Sequence, residues 1–234
     1  MIVLSVGMPR AGSAWHYNLI NDLMRAAGSA DAHDIRAKYR LQNILTEKNC
    51  NIGVLRFNRL GMVLIPALLG KTFVIKAHAA PTLTSRLFQR LGLLRITYIY
   101  RDPRDAMLSA YEIGMHDLQK GHPNAFSHLI DFQMSLDFIL EYVRIWEKWL
   151  KEKDVLTVRY EDLLRDYDEE VTRLLGFLKL DGSRPEIQKA IEAQRPTIER
   201  RGRIGRFREF YSVEQQQVLV KKLGSHLSRM GYDV

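Results

Sequence analysis

The chain has 234 residues, with 35 Lys and Arg against 27 Asp and Glu for a formal net charge of +8. That length suits one hydrophobic core, so a single domain over residues 1–234 is expected, and the positive balance favours anionic ligands without choosing among nucleotides, nucleic acid and anionic surfaces. Cys50 is the only cysteine, which excludes an internal disulfide framework or a thiolate metal cluster and fits a reducing, cytoplasmic setting.

Ile2 to Val6 is a β-branched, apolar run that reads as a buried strand; it lacks a preceding basic stretch and meets Gly7 and Pro9 too early for a signal sequence. The strand runs into Gly7-Met8-Pro9-Arg10-Ala11-Gly12-Ser13-Ala14-Trp15, followed by a helix over Ala14 to Ala27 that Gly28 stops. A strand, a tight glycine loop and a helix start make an anion site, because backbone N–H groups converge there and the helix dipole adds positive potential. The spacing from Gly7 to Gly12 reproduces the glycines of a Walker A loop, but Ser13 stands where that motif requires Lys. The missing lysine is the group that reaches the β and γ phosphates of a triphosphate, which argues against an ordinary kinase or NTPase. Arg10 inside the loop instead suits bidentate contact with a compact phosphate or sulfate.

The apolar stretch from Met62 to Leu69 is broken by Pro66 and is too short for a membrane span, so no transmembrane segment is expected. Phe73 to Lys76 is the second strand, and Lys76-Ala77-His78 places a cation and an imidazole on the same side of its end. Such a His can take an acceptor's proton, while such a Lys can stabilise charge on a leaving phosphate oxygen. Ile96 to Tyr100 is the third strand, leading into a helix over Arg104 to Ile113 that Gly114 is expected to stop. Arg101 at that strand end and Ser109 within the helix can meet at one anion. Phe126 to Lys153 reads as a long amphipathic helix whose stripe of Leu129, Phe132, Leu136, Ile139, Val143 and Trp146 belongs to the core. Val155 to Arg159 is the fourth strand, and Val213 to Met230 a final helix. Strands alternating with helices predict an α/β fold: a P-loop-like, three-layer arrangement with a central parallel sheet flanked by helices and ligand chemistry at the carboxyl ends of its strands.

In order along the chain, the loop, the Lys76-Ala77-His78 strand end and the segment Tyr98-Ile99-Tyr100-Arg101-Asp102-Pro103-Arg104-Asp105-Ala106-Met107-Leu108-Ser109-Ala110-Tyr111 resemble motifs of the PAPS-dependent sulfotransferase family of cytosolic type, where PAPS is 3′-phosphoadenosine 5′-phosphosulfate. Val155 to Leu163 resembles that family's strand ending in Tyr-Glu-Asp. Arg200-Arg201-Gly202-Arg203-Ile204-Gly205-Arg206-Phe207 resembles its C-terminal Arg-Lys-Gly-x-x-Gly-Asp-Trp element. The resemblance implies transfer of a sulfuryl group from PAPS to a hydroxyl or amine of a small-molecule acceptor, without a metal, leaving 3′-phosphoadenosine 5′-phosphate (PAP). It implies a catalytic set of His78 as general base with Lys76, Arg10 and Ser109. Arg10, Ala11, Gly12, Ser13 and Ala14 would hold the 5′-phosphosulfate, Trp15 would pack on adenine and Tyr160 would bond the base. Arg101 and Ser109 would hold the 3′-phosphate, with Arg200, Arg201 and Gly202 closing over it.

The departures concern detail. Ala14 and Ala77 lack hydroxyls that many members supply as Thr, Arg206-Phe207 replaces Asp-Trp, and Gln194-Arg195 falls where a Ser-Phe pair would contact the base. Residues 29–72 and 114–128, left over by the motifs, are expected to line the acceptor pocket. They are short, which suggests an open pocket or one shared within a homodimer. No specific nucleic-acid partner is expected. A P-loop nucleotide kinase using MgATP and a non-enzymatic polyanion-binding protein stay open as alternatives.

Overall fold

The computed structural model describes residues 1–196 and 204–234. Strands β1 (Ile2–Gly7), β2 (Phe73–Ala77), β3 (Leu94–Tyr100) and β4 (Val155–Arg159) form one sheet in the order β2-β1-β3-β4. Every neighbouring pair is parallel. The runs of β1, β2 and most of β3 are buried on both faces, as a sheet covered by helices on both sides requires, while β4 at the edge is mostly half-buried. Ile2, Leu4 and Val6 of β1 join Phe73, Ile75 and Ala77 of β2 in one core, whereas Val3 and Val74 belong to the other.

The first core is closed by α3 (Phe57–Leu68), α4 (Leu83–Arg90), α5 (Pro103–Gln119), α6 (Phe132–Leu150) and α11 (Val213–Met230). The second is closed by α1 (Ser13–Ala26), α7 (Tyr160–Arg165), α8 (Tyr167–Leu178) and α9 (Pro185–Ala193). A short α2 (Ala32–Lys38) follows α1, and the single turn α10 (Phe207–Phe210) precedes α11. The result is the expected three-layer α/β arrangement. The chain leaves β1 toward β2 but leaves β3 toward β4, so the strand order reverses between β1 and β3. Crevices at such a switch point are where open parallel sheets bind ligands. It is here that the loop after β1 and the turn after β3 meet.

Two expected helix boundaries are corrected. The helix after β3 does not stop at Gly114 but continues to Gln119. Gly114 is there because the backbone of Phe126 lies against it: a Cβ would fall 2.7 Å from the Phe126 carbonyl carbon. The long helix begins at Phe132 and not at Phe126, since Asp131 caps it by accepting from the Met134 N–H at 2.8 Å. Upstream, the Asn124 side chain accepts from the Phe126 N–H at 2.6 Å and the Ser127 hydroxyl donates to the Gly114 carbonyl at 3.2 Å, so local polar bonds replace a first helical turn. The helix after β1 ends at Ala26, beside the expected Gly28 stop.

Gly114→Ala should cost ~1–3 kcal/mol of stability through overpacking, whereas the solvent-facing Gly176→Ala in α8 should be neutral or mildly stabilising. Urea unfolding of both variants checks the contrast.

Candidate functional site

The loop after β1 is shaped by close approaches. Met8 N–H donates to the Ile99 carbonyl at 3.0 Å, carrying the chain onward alongside β3, and a Cβ on Gly7 would meet Ile99 Cγ2 at 2.6 Å. Arg10 and Gly12 both have left-handed backbones, with φ of 62° and 75°. Gly12 is also pressed by the Tyr160 ring, which a Cβ would meet at 2.6 Å. Helix α1 then starts at Ser13 without a side-chain cap, so its first-turn N–H groups are presented as anion donors.

Lys76 and His78 both sit at the β2 end and line the cleft beside this loop. His78 Nδ1–H donates to the Gly7 carbonyl at 2.6 Å. That bond selects the tautomer whose Nε2 carries the lone pair. Burial, together with the neighbouring Lys76 charge, lowers the His78 pKa to about 4 against the opposing pull of the Gly7 bond. His78 is therefore a neutral imidazole at neutral pH. Burial lowers the Lys76 pKa to about 8, with Arg10 and Lys48 adding repulsion. The β1–β2 register sets Ser5 beside Lys76, and the Ser5 hydroxyl bonds Nδ1 of the fully buried His16 at 3.0 Å. Burial also holds His16 neutral, with its pKa lowered to about 3.

Arg101, at the end of β3, is buried. Its guanidinium lies 4.8 Å from the Tyr160 ring centroid, donates to the Arg10 carbonyl at 3.4 Å and pairs with Asp105 at 3.5 Å. Arg10 Nε in turn donates to the Ser109 hydroxyl at 3.1 Å. The structure thus joins Arg10, Arg101 and Ser109 from two distant segments. Asp105 also accepts from the backbone N–H groups of Gly205 at 2.6 Å and Phe207 at 3.1 Å, tying the C-terminal part of the chain to α5. Arg206 adds an ion pair to Glu112. Arg200, Arg201 and Gly202 lie outside the described residues.

Trp15 is buried, stacked on Tyr167 with an interplanar angle of 8°, and donates from its indole N–H to the Gln194 carbonyl at 2.8 Å. It also meets Tyr160 edge-on, and the Tyr160 ring lies against Gly12. Arg195 covers Tyr167 and pairs with Asp168 and Glu192, so Gln194-Arg195 closes this side of the site. Ala11 is buried in the loop and Ala14 faces solvent.

Two concavities meet at the cation cluster. A cleft of about 280 Å³ includes Arg10, Ser13, Lys76, His78 and Tyr160, and one of about 530 Å³ includes Glu112, His116 and Arg206. Arg10, Arg101 and Ser109 line both. From the segments expected to form an acceptor pocket, His116 and Phe126 contribute, whereas residues 29–72 contribute to neither cleft and pack instead as α2, a 3-10 turn and α3 near the β2 edge. The groups that perturb Lys76 electrostatically are cations, an environment that favours an anion between them. Trp15 itself lines neither cleft, whereas Tyr160 lines the smaller one.

Sequence reasoning missed Asp105, which is exposed as a partner only by its four-residue offset from Arg101 on a helix start. It also missed Glu161, which accepts from the Asp102 N–H at 3.2 Å and from the Tyr232 hydroxyl at 2.6 Å, clamping the β3 and β4 ends together.

Residues 2–195 match the family model for the sulfotransferase domain, and the chain belongs to that family. Mouse Sulfotransferase 1E1 is 24% identical over 123 residues, a match covering 51% of this chain and 41% of the mouse protein. Its rat counterpart is 25% identical over the same length, so the matched region spans less than half of each relative. Among solved structures, mouse sulfotransferase SULT7A1 complexed with PAP superposes with a TM-score of 0.64 at 16% identity, covering 97% of this chain and 83% of that one. Retinol dehydratase, in complex with androsterone and the inactive cofactor PAP, gives 0.57 at 18% identity, covering 100% and 82%. The fold is the P-loop-like one of these proteins.

Gly12→Ala should destabilise the chain by ~2–4 kcal/mol, combining left-handed strain with the Tyr160 clash. In a Tyr160→Leu background the same change should cost less, because only the strain remains. Equal costs in both backgrounds, measured by urea unfolding, would show that the ring does not constrain the loop.

Proposed function

We propose that residues 1–234 act as one sulfotransferase domain that transfers a sulfuryl group from PAPS to a hydroxyl or amine of a small-molecule acceptor and releases PAP. The observation that carries this reading is the single cleft in which a neutral His78, oriented by Gly7, faces Lys76 and Arg10. The PAP in the SULT7A1 and retinol dehydratase structures supports the donor. The androsterone in the latter supports a small, hydroxyl-bearing acceptor class.

When bound, PAPS supplies a sulfuryl group already activated by a phosphate leaving group. In the proposed scheme His78 Nε2 takes the acceptor's proton as the acceptor oxygen or nitrogen bonds to sulfur, and the bond from sulfur to the bridging phosphate oxygen breaks. Lys76 and Arg10 stabilise the charge left on that oxygen, and the N–H groups at Gly12, Ser13 and Ala14 hold the 5′ end. Arg101 and Ser109 hold the 3′-phosphate, with Arg200, Arg201 and Gly202 assigned to the same group by the motif. Trp15 and Tyr160 border the base. Positioning and electrostatics supply most of the rate in such an in-line displacement, and the scheme uses no metal.

A P-loop kinase would need the Walker lysine that Ser13 replaces. Titration calorimetry with PAP, and with ATP in the presence and absence of Mg²⁺, separates the readings: PAP should bind more tightly, and a clear preference for MgATP would overturn the assignment. His78→Ala should lower turnover by ~10²–10⁴-fold while PAP affinity stays within about twofold. Arg101→Ala should instead weaken PAP binding by ~10–100-fold, the worth of a charge-assisted contact.

The pH profile of kcat/KM follows from the two shifted groups. His78 acts unprotonated, so activity rises with pH through its pKa of about 4. Lys76 acts protonated, so activity falls with pH through about 8. A plateau between these limits is expected in the wild type, and Lys76→Arg should push the alkaline limb upward.

A further inference from the structure

No Asp or Glu occurs between Glu47 and Asp102, although the chain holds 27 acidic residues. Within this acid-free stretch α3 and α4 pack beside each other: the Phe57 and Phe88 ring centroids lie 6.3 Å apart, and the Thr82 hydroxyl at the start of α4 donates to the Leu55 carbonyl just before α3 at 2.6 Å. Their outward faces are apolar. Phe57 is 69% exposed and Leu83 80%, and Ile65, Leu68, Leu87 and Leu91 are exposed with them. Leu83, Leu87 and Leu91 recur every fourth residue and so form one stripe along α4. A surface helix ordinarily turns polar residues to solvent, and clustered exposed apolar side chains mark an interaction face.

The charges around these helices are almost wholly positive. Arg56 and Lys71 flank α3 and are exposed, as is Arg90 at the end of α4. The groove of about 390 Å³ beside α4 adds Lys151 and Lys153, and its acidic members are Glu152 and Asp154. Glu152 is already engaged by Arg86 at 2.7 Å. An isologous contact with a second copy would set these like charges against each other. A surface that is apolar at its centre and basic at its rim instead matches an anionic bilayer, where apolar side chains enter the interface and Lys or Arg meet the headgroups.

We propose that the α3–α4 face docks the protein peripherally on an anionic lipid surface. Attachment is peripheral because no described helix is long and apolar enough to cross a membrane. The docking face reaches the reactive end of the sheet. Leu83 follows His78 by five residues, and the chain entering α3 has just bonded Lys76, through the Ile52 N–H to the Lys76 carbonyl at 2.9 Å. A docked molecule therefore holds the end of β2 close to the lipid headgroups.

Co-sedimentation of the full chain with phosphatidylcholine vesicles, with and without phosphatidylserine, tests this. Partitioning should be at least about tenfold stronger on the anionic vesicles and weaken with salt. A triple variant, Phe57→Ser, Leu83→Ser and Leu87→Ser, should lose about tenfold or more on the same vesicles. Arg56→Gln with Arg90→Gln should erase the preference for phosphatidylserine. Thermal unfolding of each variant checks that the fold is kept, and Leu83→Ala with Leu87→Ala replaces the triple variant if it is not. No partitioning, or partitioning that the apolar variants leave unchanged, overturns the proposal. So does sedimentation equilibrium showing a wild-type dimer that these variants dissociate, which would assign the face to a second copy.

Discussion

The bond from His78 Nδ1–H to the Gly7 carbonyl is the interaction on which the site depends, because it ties the ends of two parallel strands into one frame. Gly7 can offer that carbonyl only while it carries no side chain, since Ile99 fills the space a Cβ would take. The same residue thus closes β1 onto β3 and aims its carbonyl at β2. Everything downstream inherits this placement. The loop turns back through left-handed Arg10 and Gly12, α1 starts uncapped at Ser13, and the imidazole keeps its lone pair on Nε2.

A second set of contacts keeps the cations in place. Buried guanidinium groups are tolerated when carboxylates and ring faces surround them. Arg101 leans on Asp105 and Tyr160, while Arg104 bonds both oxygens of Asp102 at 3.0 and 2.9 Å and lies 4.1 Å from the Phe207 ring centroid. These carboxylates do more than neutralise. Asp105 collects backbone N–H groups from Gly205 and Phe207, and Glu161 collects the Tyr232 hydroxyl. The end of the chain is in this way fastened to the turn after β3, so that α11 and its exit support a site to which they contribute no predicted ligand.

What was legible in the sequence was local chemistry. The β-branched runs at β1 to β4, the glycines of the loop and the Lys76-Ala77-His78 strand end all announce their structure within a few residues, and the strand positions agree with expectation. What was not legible depended on partners far away along the chain. Gly114 has the character of a helix stop, and only the Phe126 backbone packed against it explains why the helix runs on. Asp105 has the character of a dipole-complementing residue in a first turn, yet its carboxylate binds a segment about a hundred residues later. The start of α6 was misplaced because the apolar spacing extends backward through Leu129, while Asn124, Ser127 and Asp131 spend their polar groups on turns and a cap.

Arg10 links the two clefts and clarifies how charge is divided between them. Its guanidinium is held by Ser109, yet it also repels Lys76. An arginine remains protonated under such crowding, so the repulsion adds to burial, the larger cause, in lowering the pKa of the lysine. A ligand anion placed between them reverses the balance, because it attracts both cations and offsets their mutual repulsion. The neutral His78 belongs to the same arrangement: burial first, and the Lys76 charge second, discourage its protonation and leave the Nε2 lone pair free, as the proposed scheme requires. Burial and the row of cations at the end of β2 therefore act together, Arg10 keeping its charge while Lys76 and His78 shift toward their neutral forms.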